Sequence, residues 1–520
     1  MSNTQNDLSI TDWYRGRSLL VTGGTGFMGK ILLEKVIRVL PIKKLYVIIR
    51  EKRGVQPQDR IKNILKLPIF DKIRESEPAV LDKIVALDGD VTAPNLGLNT
   101  KTIQELKDNV SVVFHNAASL KLEADLKHAI AFNLKGTKNV MEFCLQLPNV
   151  VSVLHLSTAF CHVDVDVLEE KIYPSSEKPD DIIHLVDTLD IKSLDMLQPS
   201  LISPHPNCYT FSKRLAETVI EEYSTKLPLT IVRPSIVIPA LYEPIPGWVD
   251  SLNGPIGLLV AGGKGVIRTM MVDPHNLANV IPVDICINGM IIAAYERSFK
   301  QKYGVVDVYN ATTSHDIINY TWRDVLEKGK KVFYKYPFDW PVIWYPDGDM
   351  HTNKYVHYFL AFMLHTIPAY FIDFLMFIFF QPRFMVYIHN RISLGLELLQ
   401  YFTMRDWRFK NQRFVELPKR LNKEEEYTLC ILSREYNVDD YLLSAILGAR
   451  QYCVKDDLST LPRARRILKF LYVLHITTKT LFYYFICNLV LSLFNLNFLL
   501  SPSYWSNLIG NTALQGVKLN

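Results

Sequence analysis

A short apolar run near the N-terminus turns through three regularly spaced glycines and passes into a helical pattern. The run covers residues 18–22, and Gly23, Gly26 and Gly29 follow it with the spacing Gly-x-x-Gly-x-x-Gly. Residues 31–37 then repeat apolar side chains with the period of an amphipathic helix. A strand, a glycine turn and a helix in this order predict that a dinucleotide pyrophosphate binds at the turn.

Each glycine has its own role at such a turn. Gly23 permits the tight turn, Gly26 lets the backbone approach phosphate oxygens, and Gly29 allows the helix to pack closely on the strand. The free amides at the start of the helix attract the anion. A glycine turn that holds no ligand is the alternative interpretation. The neighbouring residues that we expect to contact the cofactor are Thr22, Thr25, Phe27 and Met28.

Three further apolar runs predict the rest of a sheet. They cover residues 45–49, 84–87 and 110–114, and stretches with helical periodicity separate them. Strands that alternate with helices form parallel sheets, because each crossover helix returns the chain to the same edge. We therefore predict an α/β fold with a doubly wound parallel sheet.

The charged residues after the second run bear on which dinucleotide is bound. The residue that meets the adenosine ribose is expected here, where an acid favours NAD and a cation favours the 2′-phosphate of NADP. Arg50, Lys52 and Arg53 outnumber Glu51. The sequence thus favours NADPH, with Arg50 and Arg53 as its ligands. A solvated charged loop is the alternative.

The ends of the third and fourth runs supply further cofactor ligands. Asp90, which precedes Val91, could accept a hydrogen bond from the adenine amino group. Asn116, Ala117 and Ala118 follow the fourth run, and small residues there would let the cofactor lie against the strand end. We expect both segments to line the cofactor.

A tyrosine and a lysine carry the predicted chemistry. Tyr209 and Lys213 are four residues apart, so one helical turn aligns them. A phenol with a pKa of about 10 is a poor acid–base catalyst near neutral pH unless an ammonium stabilises the phenolate. Lys213 can also hold the nicotinamide ribose. Thr158, or less favourably Ser157, would hydrogen-bond the substrate oxygen as charge develops on it. A purely structural Tyr-x-x-x-Lys pair is the alternative.

Residues 15–300 resemble an extended short-chain dehydrogenase/reductase, which has a Rossmann core. The segment around Pro234 and Ser235 resembles the one beside the nicotinamide in that superfamily, and residues 281–284 resemble the one that closes the substrate side. Epimerases, hydroxysteroid dehydrogenases and thioester reductases share this core, so the core alone does not choose between them. The matching positions are Gly23, Gly26, Gly29, Asp90, Asn116, Asn133, Thr158, Tyr209 and Lys213.

The residues after this core narrow the choice. Residues 365–373, 401–409 and 448–452 are similar to the C-terminal domain of eukaryotic alcohol-forming fatty acyl-CoA reductases. The resemblance implies NADPH-dependent reduction of a long-chain or very-long-chain acyl-CoA to a primary alcohol, with release of CoA and a bound aldehyde on the way. It also implies a mainly helical domain over residues 350–455.

Two other functions stay open. A membrane-bound dehydrogenase acting on a sterol or another lipid alcohol would need one hydride and no CoA, and the additional C-terminal residues argue against it. A lipid-binding or scaffold protein without turnover is the third hypothesis. The intact set of Thr158, Tyr209 and Lys213 argues against that one.

Charge and cysteine content limit the partners. A net charge of +5 on 520 residues is modest and does not suggest nucleic acid. The 7 cysteines lack paired metal-ligand spacing, which predicts a reduced compartment and no metal site. We expect no signal peptide before the fold. A homo-oligomer is compatible with the sequence, which does not fix the oligomeric state.

One C-terminal stretch predicts a membrane anchor. Residues 481–500 contain no charged side chain and are long enough to cross a bilayer. Basic residues precede this stretch, which by the positive-inside rule places the enzyme domains in the cytosol. We predict a membrane-anchoring segment over residues 467–500, in a lipid bilayer of the endoplasmic reticulum or peroxisome. The basic residues are Arg463, Arg465, Arg466, Lys469 and Lys479.

A second apolar stretch, residues 359–380, is interrupted by Pro368 and Asp373. An amphipathic or re-entrant membrane helix is one interpretation of it. The apolar interior of the second domain is the other. The sequence does not decide between the two.

Overall fold

The computed structural model describes residues 8–300, 303–312, 320–432 and 437–493. Strands and helices alternate as far as Ala311, and helices dominate after it. The strands are β1 (Ser18–Thr22), β2 (Lys44–Ile49), β3 (Ile84–Asp88), β4 (Val110–His115), β5 (Ser152–Leu156), β6 (Val167–Leu168), β7 (Leu229–Pro234), β8 (Ile236–Ile238), β9 (Thr269–Met271), β10 (Val280–Pro282), β11 (Val306–Ala311), β12 (Asp349–His351) and β13 (Arg408–Phe409).

The α-helices connect and cover these strands. They are α1 (Ile10–Tyr14), α2 (Phe27–Val39), α3 (Pro57–Leu65), α4 (Asp71–Ser76), α5 (Thr100–Asn109), α6 (Leu126–Ala129), α7 (Gly136–Cys144), α8 (Pro179–Thr188), α9 (Ile191–Leu201), α10 (Cys208–Glu222), α11 (Pro255–Gly263), α12 (Val283–Arg297), α13 (Trp322–Lys335), α14 (Lys354–Ala361), α15 (Ile367–Ile378), α16 (Met385–Thr403), α17 (Gln412–Val415), α18 (Lys423–Thr428), α19 (Val438–Gly448) and α20 (Leu461–Leu493).

Seven strands form one parallel sheet, in the order β11–β7–β5–β4–β1–β2–β3. The first strand, β1, pairs with β2 on one side and with β4 on the other. The chain therefore builds one half outward from β1 and the other outward from β4, which confirms the predicted doubly wound topology. Ligands of such sheets bind at the carboxyl ends of the strands, where the order reverses.

Apolar side chains cover both faces of this sheet. Leu19 and Val21 of β1 point into a cluster formed with α2 and α12, whereas Leu20 points into a second cluster formed with α7 and α10. Successive strand residues face opposite sides, so a strand that is covered on both faces is apolar throughout. This is why the predicted strands are continuous apolar runs rather than alternating ones.

The C-terminal region is mainly helical, as predicted. Helix α13 packs against α19. The loop before α11 approaches α19 so closely that a side chain on Gly247 would overlap the Ser444 carbonyl oxygen, and one on Gly448 would overlap that of Gly247. Backbone therefore meets backbone where the helical region packs on the part of the chain that carries the sheet.

Two apolar helical segments of the described residues are mostly exposed. Lys354–Ile378 comprises α14, a π-helical stretch (Phe362–Thr366) and α15, whereas Leu458–Ser492 is mostly α20. By length and composition both could cross a membrane, and 17% and 11% of their most apolar windows are buried. The interpretation of residues 359–380 as an apolar interior is therefore wrong. The anchor predicted over residues 467–500 coincides with α20 as far as residue 493, and residues 494–500 lie outside the described part.

One arginine joins the places where these two segments pack. The backbone N–H of Arg268 donates to His365 Nε2 at 2.8 Å, within the π-helical stretch. The Arg268 guanidinium lies 5.4 Å from the ring centroid of Trp344, and the Trp344 indole donates to His475 Nδ1 of α20 at 3.1 Å. The two apolar segments thus share one support.

Candidate active site

The glycine turn after β1 has the tight geometry predicted for it. Gly23 has a φ of +74°, and a Cβ there would lie 2.7 Å from the Ala117 amide nitrogen. A Cβ on Gly29 would overlap the Gly23 carbonyl oxygen. Helix α2 begins at Phe27, and its N-cap residue Gly26 supplies no side-chain cap. Its first amides are therefore open to an anion.

The Thr22 side chain is used inside the sheet rather than toward a ligand. Its hydroxyl is fully buried, pairs with Nδ1 of His115 at 2.8 Å and accepts the Ala117 N–H at 3.2 Å. Thr22 therefore holds the ends of β1 and β4 together. With respect to the cofactor, we therefore expect the Thr22 side chain to position the strand ends.

Buried polar atoms lie at the ends of β4 and β7. Both polar side-chain atoms of Asn116 and the hydroxyl of Ser235 are buried without a hydrogen-bond partner among the described residues. Each such atom costs about 1–3 kcal/mol while it stays unpaired. Asn116 adjoins Ala117 and Ala118, and Ser235 follows Pro234, so both lie in segments predicted to contact the cofactor. A bound nicotinamide dinucleotide would satisfy them, and the residues present therefore fit this group.

Two arginines meet beside the glycine turn. Arg60 Nη1 donates to the Arg50 carbonyl at 2.6 Å, and Arg60 Nη2 donates to Thr25 Oγ1 at 3.4 Å. Arg50 Nη1 lies 3.8 Å from Asp90 Oδ2. Burial and the nearby charge of Arg50 lower the pKa of Arg60. An anionic group bound between them would relieve this repulsion.

Arg50 and Arg53 are the expected ligands of the 2′-phosphate that the sequence analysis named, whereas Arg60 was not considered. Arg53 is exposed in the turn before α3, with a φ of +54°. Arg60 lies on α3. In the sequence, it could have been noticed only as a cation on the first helix after the charged loop. Val91 packs into the apolar cluster on the α7 side of the sheet, while Asp90 Oδ1 accepts hydrogen bonds from the amide and hydroxyl of Thr92, both at 2.9 Å.

The start of α2 is tied to the loop after β8. The ring of Phe27 stacks on that of Trp248 with centroids 5.6 Å apart. Lys30 forms an ion pair with Asp250. Met28 is half-buried and packs on the apolar cluster that α2 shares with α12. Phe27 and Met28 thus hold the glycine turn in place from its outer side.

The predicted catalytic residues come together at the carboxyl ends of the strands. Tyr209 and Lys213 lie on successive turns of α10, whose N-cap residue Asn207 accepts the Thr210 N–H at 3.0 Å. Thr158, just after β5, lies near enough to the Tyr209 phenol to act on its pKa, and its hydroxyl accepts the Phe160 N–H at 3.3 Å. Lys213 Nζ donates to the Leu156 carbonyl at 2.6 Å. A carbonyl oxygen at this place would meet two hydroxyl groups and lie near one ammonium.

Burial sets the protonation of this group. It raises the pKa of the Tyr209 phenol, although the nearby Thr158 hydroxyl acts in the opposite direction. It lowers the pKa of Lys213 to about 8, against the opposing charges of Cys161 and Glu217. Tyr209 is therefore a proton donor at neutral pH, and Lys213 is still mostly an ammonium.

Asn133 connects the catalytic helix to the end of β4. Its Oδ1 accepts the Ser119 N–H at 2.7 Å, and its Nδ2 donates to the Ser212 hydroxyl at 3.0 Å. That hydroxyl donates to the Tyr209 carbonyl at 3.0 Å. Asn133 lies in a π-helical stretch (Ile130–Lys135), a distortion that is frequent at functional sites. Its contacts indicate a positioning role.

A buried charge network behind Lys213 was not anticipated. Glu217, one turn further along α10, accepts two hydrogen bonds from Arg233 of β7, at 2.9 and 2.6 Å. His162 Nε2 lies 2.9 Å from the same carboxylate. Although burial raises the pKa of Glu217, these two cations hold it well below its usual range. The spacing from Lys213 to Glu217 was the signal that could have revealed the network.

The ligand atoms of Cys161, His162 and Glu217 lie within 4.8 Å of one another. Arg233 already occupies both oxygens of the Glu217 carboxylate. We therefore interpret the group as a charge network rather than a metal site. Burial lowers the pKa of His162, but Cys161 and Glu217 outweigh it and raise that pKa to about 9.

An aromatic cluster brings the C-terminal region to the catalytic loop. Phe160, two residues after Thr158, packs edge-on against Phe402, Trp407 and Phe409, with ring centroids 5.2 to 5.6 Å apart. Trp407 is 6% exposed. Side chains from the end of α16 and from β13 thus support the loop that presents the Thr158 hydroxyl.

Two family models match the chain. An NAD-binding family described as male sterility protein matches residues 21–290, and a second family with the same description matches residues 364–456. Together they cover both the sheet-bearing core and most of the helical region. The first match shows a dinucleotide-binding domain.

Curated relatives match over nearly the full length. Fatty acyl-CoA reductase wat of Drosophila melanogaster is 32% identical over 486 residues, 93% of this chain and 93% of the relative. Fatty acyl-CoA reductase 1 of Rattus norvegicus is 32% identical over 462 residues, 89% of each chain.

A solved structure shares the fold at low identity. The terminal R domain of the myxalamid PKS-NRPS pathway has a TM-score of 0.54 at 17% identity, over 84% of this chain and 90% of that one. The fold is thus that of reductase domains. The family matches and the full-length relatives together show that this chain is an enzyme and belongs to the fatty acyl-CoA reductase family.

Proposed function

We propose that the enzyme uses NADPH to reduce a long-chain or very-long-chain fatty acyl-CoA to the primary alcohol, with release of CoA and through a bound aldehyde. The observation that carries the proposal is the meeting of Thr158, Tyr209 and Lys213 at the carboxyl end of β5, on the same edge of the sheet as the unpaired polar atoms of Asn116 and Ser235. The family membership supplies the substrate class.

The cofactor would bind along the carboxyl edge from the glycine turn to Ser235. The open amides of α2 would hold its pyrophosphate. Arg50 and Arg60 would hold a 2′-phosphate, which favours NADPH over NADH. When bound, NADPH supplies the hydride for each of two reductions. Asn116 and Ser235 would hydrogen-bond its nicotinamide end.

Thr158 and Tyr209 would act on the thioester carbonyl. Both hydroxyls would donate hydrogen bonds to the oxygen as negative charge develops, and the Tyr209 phenol would transfer its proton. Lys213 would stabilise the resulting phenolate through its ammonium. The protonated product of this first step is a hemithioacetal, which collapses to an aldehyde and releases CoA as the thiol.

The same residues would serve the second reduction. The aldehyde carbonyl would take the place of the thioester carbonyl, with its oxygen again between Thr158 and Tyr209. Two hydrides and two protons are consumed for each acyl-CoA converted into alcohol and free CoA. Tyr209 must therefore be reprotonated between the steps, and the aldehyde must stay in place while the cofactor is exchanged.

Helix α20 would anchor the enzyme in the membrane, with the catalytic region in the cytosol. Its basic residues end at Lys479, and residues 481–493 after it carry no charged side chain. The endoplasmic reticulum and the peroxisome both fit this orientation. Long-chain substrates and alcohol products partition into lipid, which suits such an attachment.

Product analysis tests this function. Membranes containing the wild-type chain or Tyr209→Phe would receive NADPH and acyl-CoAs from medium to very long chain. We expect fatty alcohol from the wild type alone, with two NADPH oxidised for each alcohol. One NADPH for each product, or no alcohol from any chain length, would contradict the proposal and return attention to a lipid alcohol dehydrogenase.

A further inference from the structure

Residues 354–403 form a helical hairpin that projects aromatic side chains into solvent. The continuous helical segment Lys354–Ile378 runs outward, residues 379–384 turn, and α16 returns packed against α15. We call residues 354–403 the aromatic hairpin. Its most exposed aromatic side chains are Tyr355, Phe359, Phe362, Tyr370, Phe371, Phe374, Phe377, Phe379, Phe380 and Tyr387.

Most backbone N–H groups at the turn of the hairpin are paired within the hairpin itself. The Asp373 carboxylate accepts the N–H groups of Phe384, Met385 and Val386 at 3.1, 2.8 and 3.0 Å. The Gln381 N–H donates to the Met376 carbonyl at 2.8 Å. A turn that meets water does not need this, whereas one in an apolar medium pays several kcal/mol for each unpaired group.

The charged residues of the hairpin indicate which kind of surface covers it. Within residues 354–384, all of them described, the charged side chains are Lys354, Asp373 and Arg383. Asp373 is 8% exposed and faces inward. The exposed surface of this part is therefore apolar and aromatic, with Lys354 at its base and Arg383 at its turn. Helix α16 adds the exposed Arg391 and Glu397, so cations outnumber exposed anions on the hairpin as on an interfacial helix at an anionic membrane.

Both arms of the hairpin are attached to the same strand. At the start, His357 Nδ1 lies 3.0 Å from Thr269 Oγ1 of β9. At the end, the Thr403 hydroxyl donates to the Met271 carbonyl of β9 at 2.9 Å. The chain thus leaves and re-enters the folded body at one place, which excludes a single crossing of a bilayer by this segment.

We propose that the aromatic hairpin inserts into one leaflet of an anionic phospholipid bilayer and leads the acyl chain along α16 to the active site. Helix α16 extends about 28 Å from the hairpin turn to Phe402 and Thr403. Phe402 packs on Phe160, two residues from Thr158. The insertion stands independently, whereas the acyl route rests on the proposed function.

Depth-dependent fluorescence quenching tests the insertion. Full-length protein carrying Cys487→Ser, which removes the exposed cysteine of α20, receives one new cysteine as Phe371→Cys, Phe374→Cys or Phe380→Cys. Each is labelled with bimane and reconstituted into phosphatidylcholine/phosphatidylserine vesicles that contain brominated acyl chains. The Cys487→Ser protein without a new cysteine gives the labelling blank. Met196→Cys on α9, 69% exposed, is the matched control.

We expect strong quenching at the three hairpin positions and none at the control. Hairpin labels that behave like the control in vesicle-bound protein would overturn the insertion. So would efficient crosslinking between hairpins of two chains without quenching, because a second copy would then cover the surface. No turnover is needed, so this result is independent of whether the proposed reduction occurs.

The acyl route has its own test. In Phe371→Glu/Phe374→Glu, the KM for palmitoyl-CoA in vesicles should rise about tenfold more than the KM for octanoyl-CoA. Met196→Glu controls for an added surface charge. Equal changes in the two KM values would overturn the acyl route. The insertion would still be decided by the quenching experiment.

Discussion

At the scale of single residues, Lys213 depends on a neighbour that catalysis does not touch. Burial lowers its pKa to about 8, and the carboxylate of Glu217 opposes that shift. In the proposed mechanism the ammonium form of Lys213 stabilises the phenolate, and this form is lost as pH rises through the pKa. We therefore expect kcat/KM to fall above a pH of about 8.

Glu217→Gln separates support from catalysis. Without the carboxylate charge the pKa of Lys213 should fall further, so the alkaline limb of the kcat/KM profile should move to lower pH. Arg233 would be left buried without its counter-ion, at a cost of about 3–5 kcal/mol in unfolding free energy. Denaturant unfolding and pH–rate profiles measure the two effects. Glu221→Gln, exposed on the same helix, should change neither, and an unmoved alkaline limb would reduce Glu217 to a structural role.

Arg60 is the residue on which cofactor choice should depend. Losing a charge-assisted hydrogen bond to phosphate costs about 1.5–3 kcal/mol, so Arg60→Ala should raise the KM for NADPH about tenfold or more and leave that for NADH nearly unchanged. Steady-state kinetics with both cofactors measures the ratio. Arg53→Ala, in the exposed turn, is the matched control. A larger effect of Arg53→Ala would contradict this prediction and would favour Arg53, which the sequence analysis named, as the ligand of the 2′-phosphate.

At the scale of elements, the sequence was most informative where burial is uniform. Strands covered on both faces leave continuous apolar runs, and the tight contacts at Gly23 and Gly29 exclude any side chain, so both were predictable from local pattern. The partners of Arg60 and Glu217 were not, because they come from other helices and strands. Local periodicity does not show which cation from a distant part of the chain lies beside a given carboxylate.

Gly29→Ala tests the contact between α2 and its own turn. The new methyl group would overlap the Gly23 carbonyl, so the turn must open. We expect a loss of about 1–3 kcal/mol in stability and weaker NADPH binding. Thermal unfolding and cofactor titration measure them. Gly395→Ala in α16, where a Cβ meets open space, should instead be neutral or slightly stabilising, and equal losses in both variants would contradict the steric explanation.

At the scale of the whole molecule, the catalytic loop depends on residues far along the chain. Phe160 and Trp407 meet only because the helical region folds back onto the sheet-bearing core. The mainly helical character of that region could be predicted, but its contact with the loop of Thr158 could not. Packing between distant segments depends on how the shapes of their folded surfaces fit, and a single sequence does not give those shapes.

Trp407→Leu tests that dependence. The cavity left in the aromatic cluster should cost about 2–4 kcal/mol in stability. Because Phe160 would lose its main support, kcat should fall in the residual folded enzyme at a temperature well below its unfolding. Trp340→Leu, at a site that is 66% exposed, is the control. Unchanged kcat with lowered stability would show that the cluster supports the fold and not the loop.

The link through Arg268 has a mechanical consequence. A body held to a surface at one point can swivel, whereas a body held at two points can only rock about the line that joins them. Arg268 touches His365 of the aromatic hairpin and Trp344, which receives α20. With both segments in lipid, part of any force on one would reach the other through Arg268, by its backbone N–H on the hairpin side and by its guanidinium on the α20 side, and the folded body would be held at two points above the leaflet.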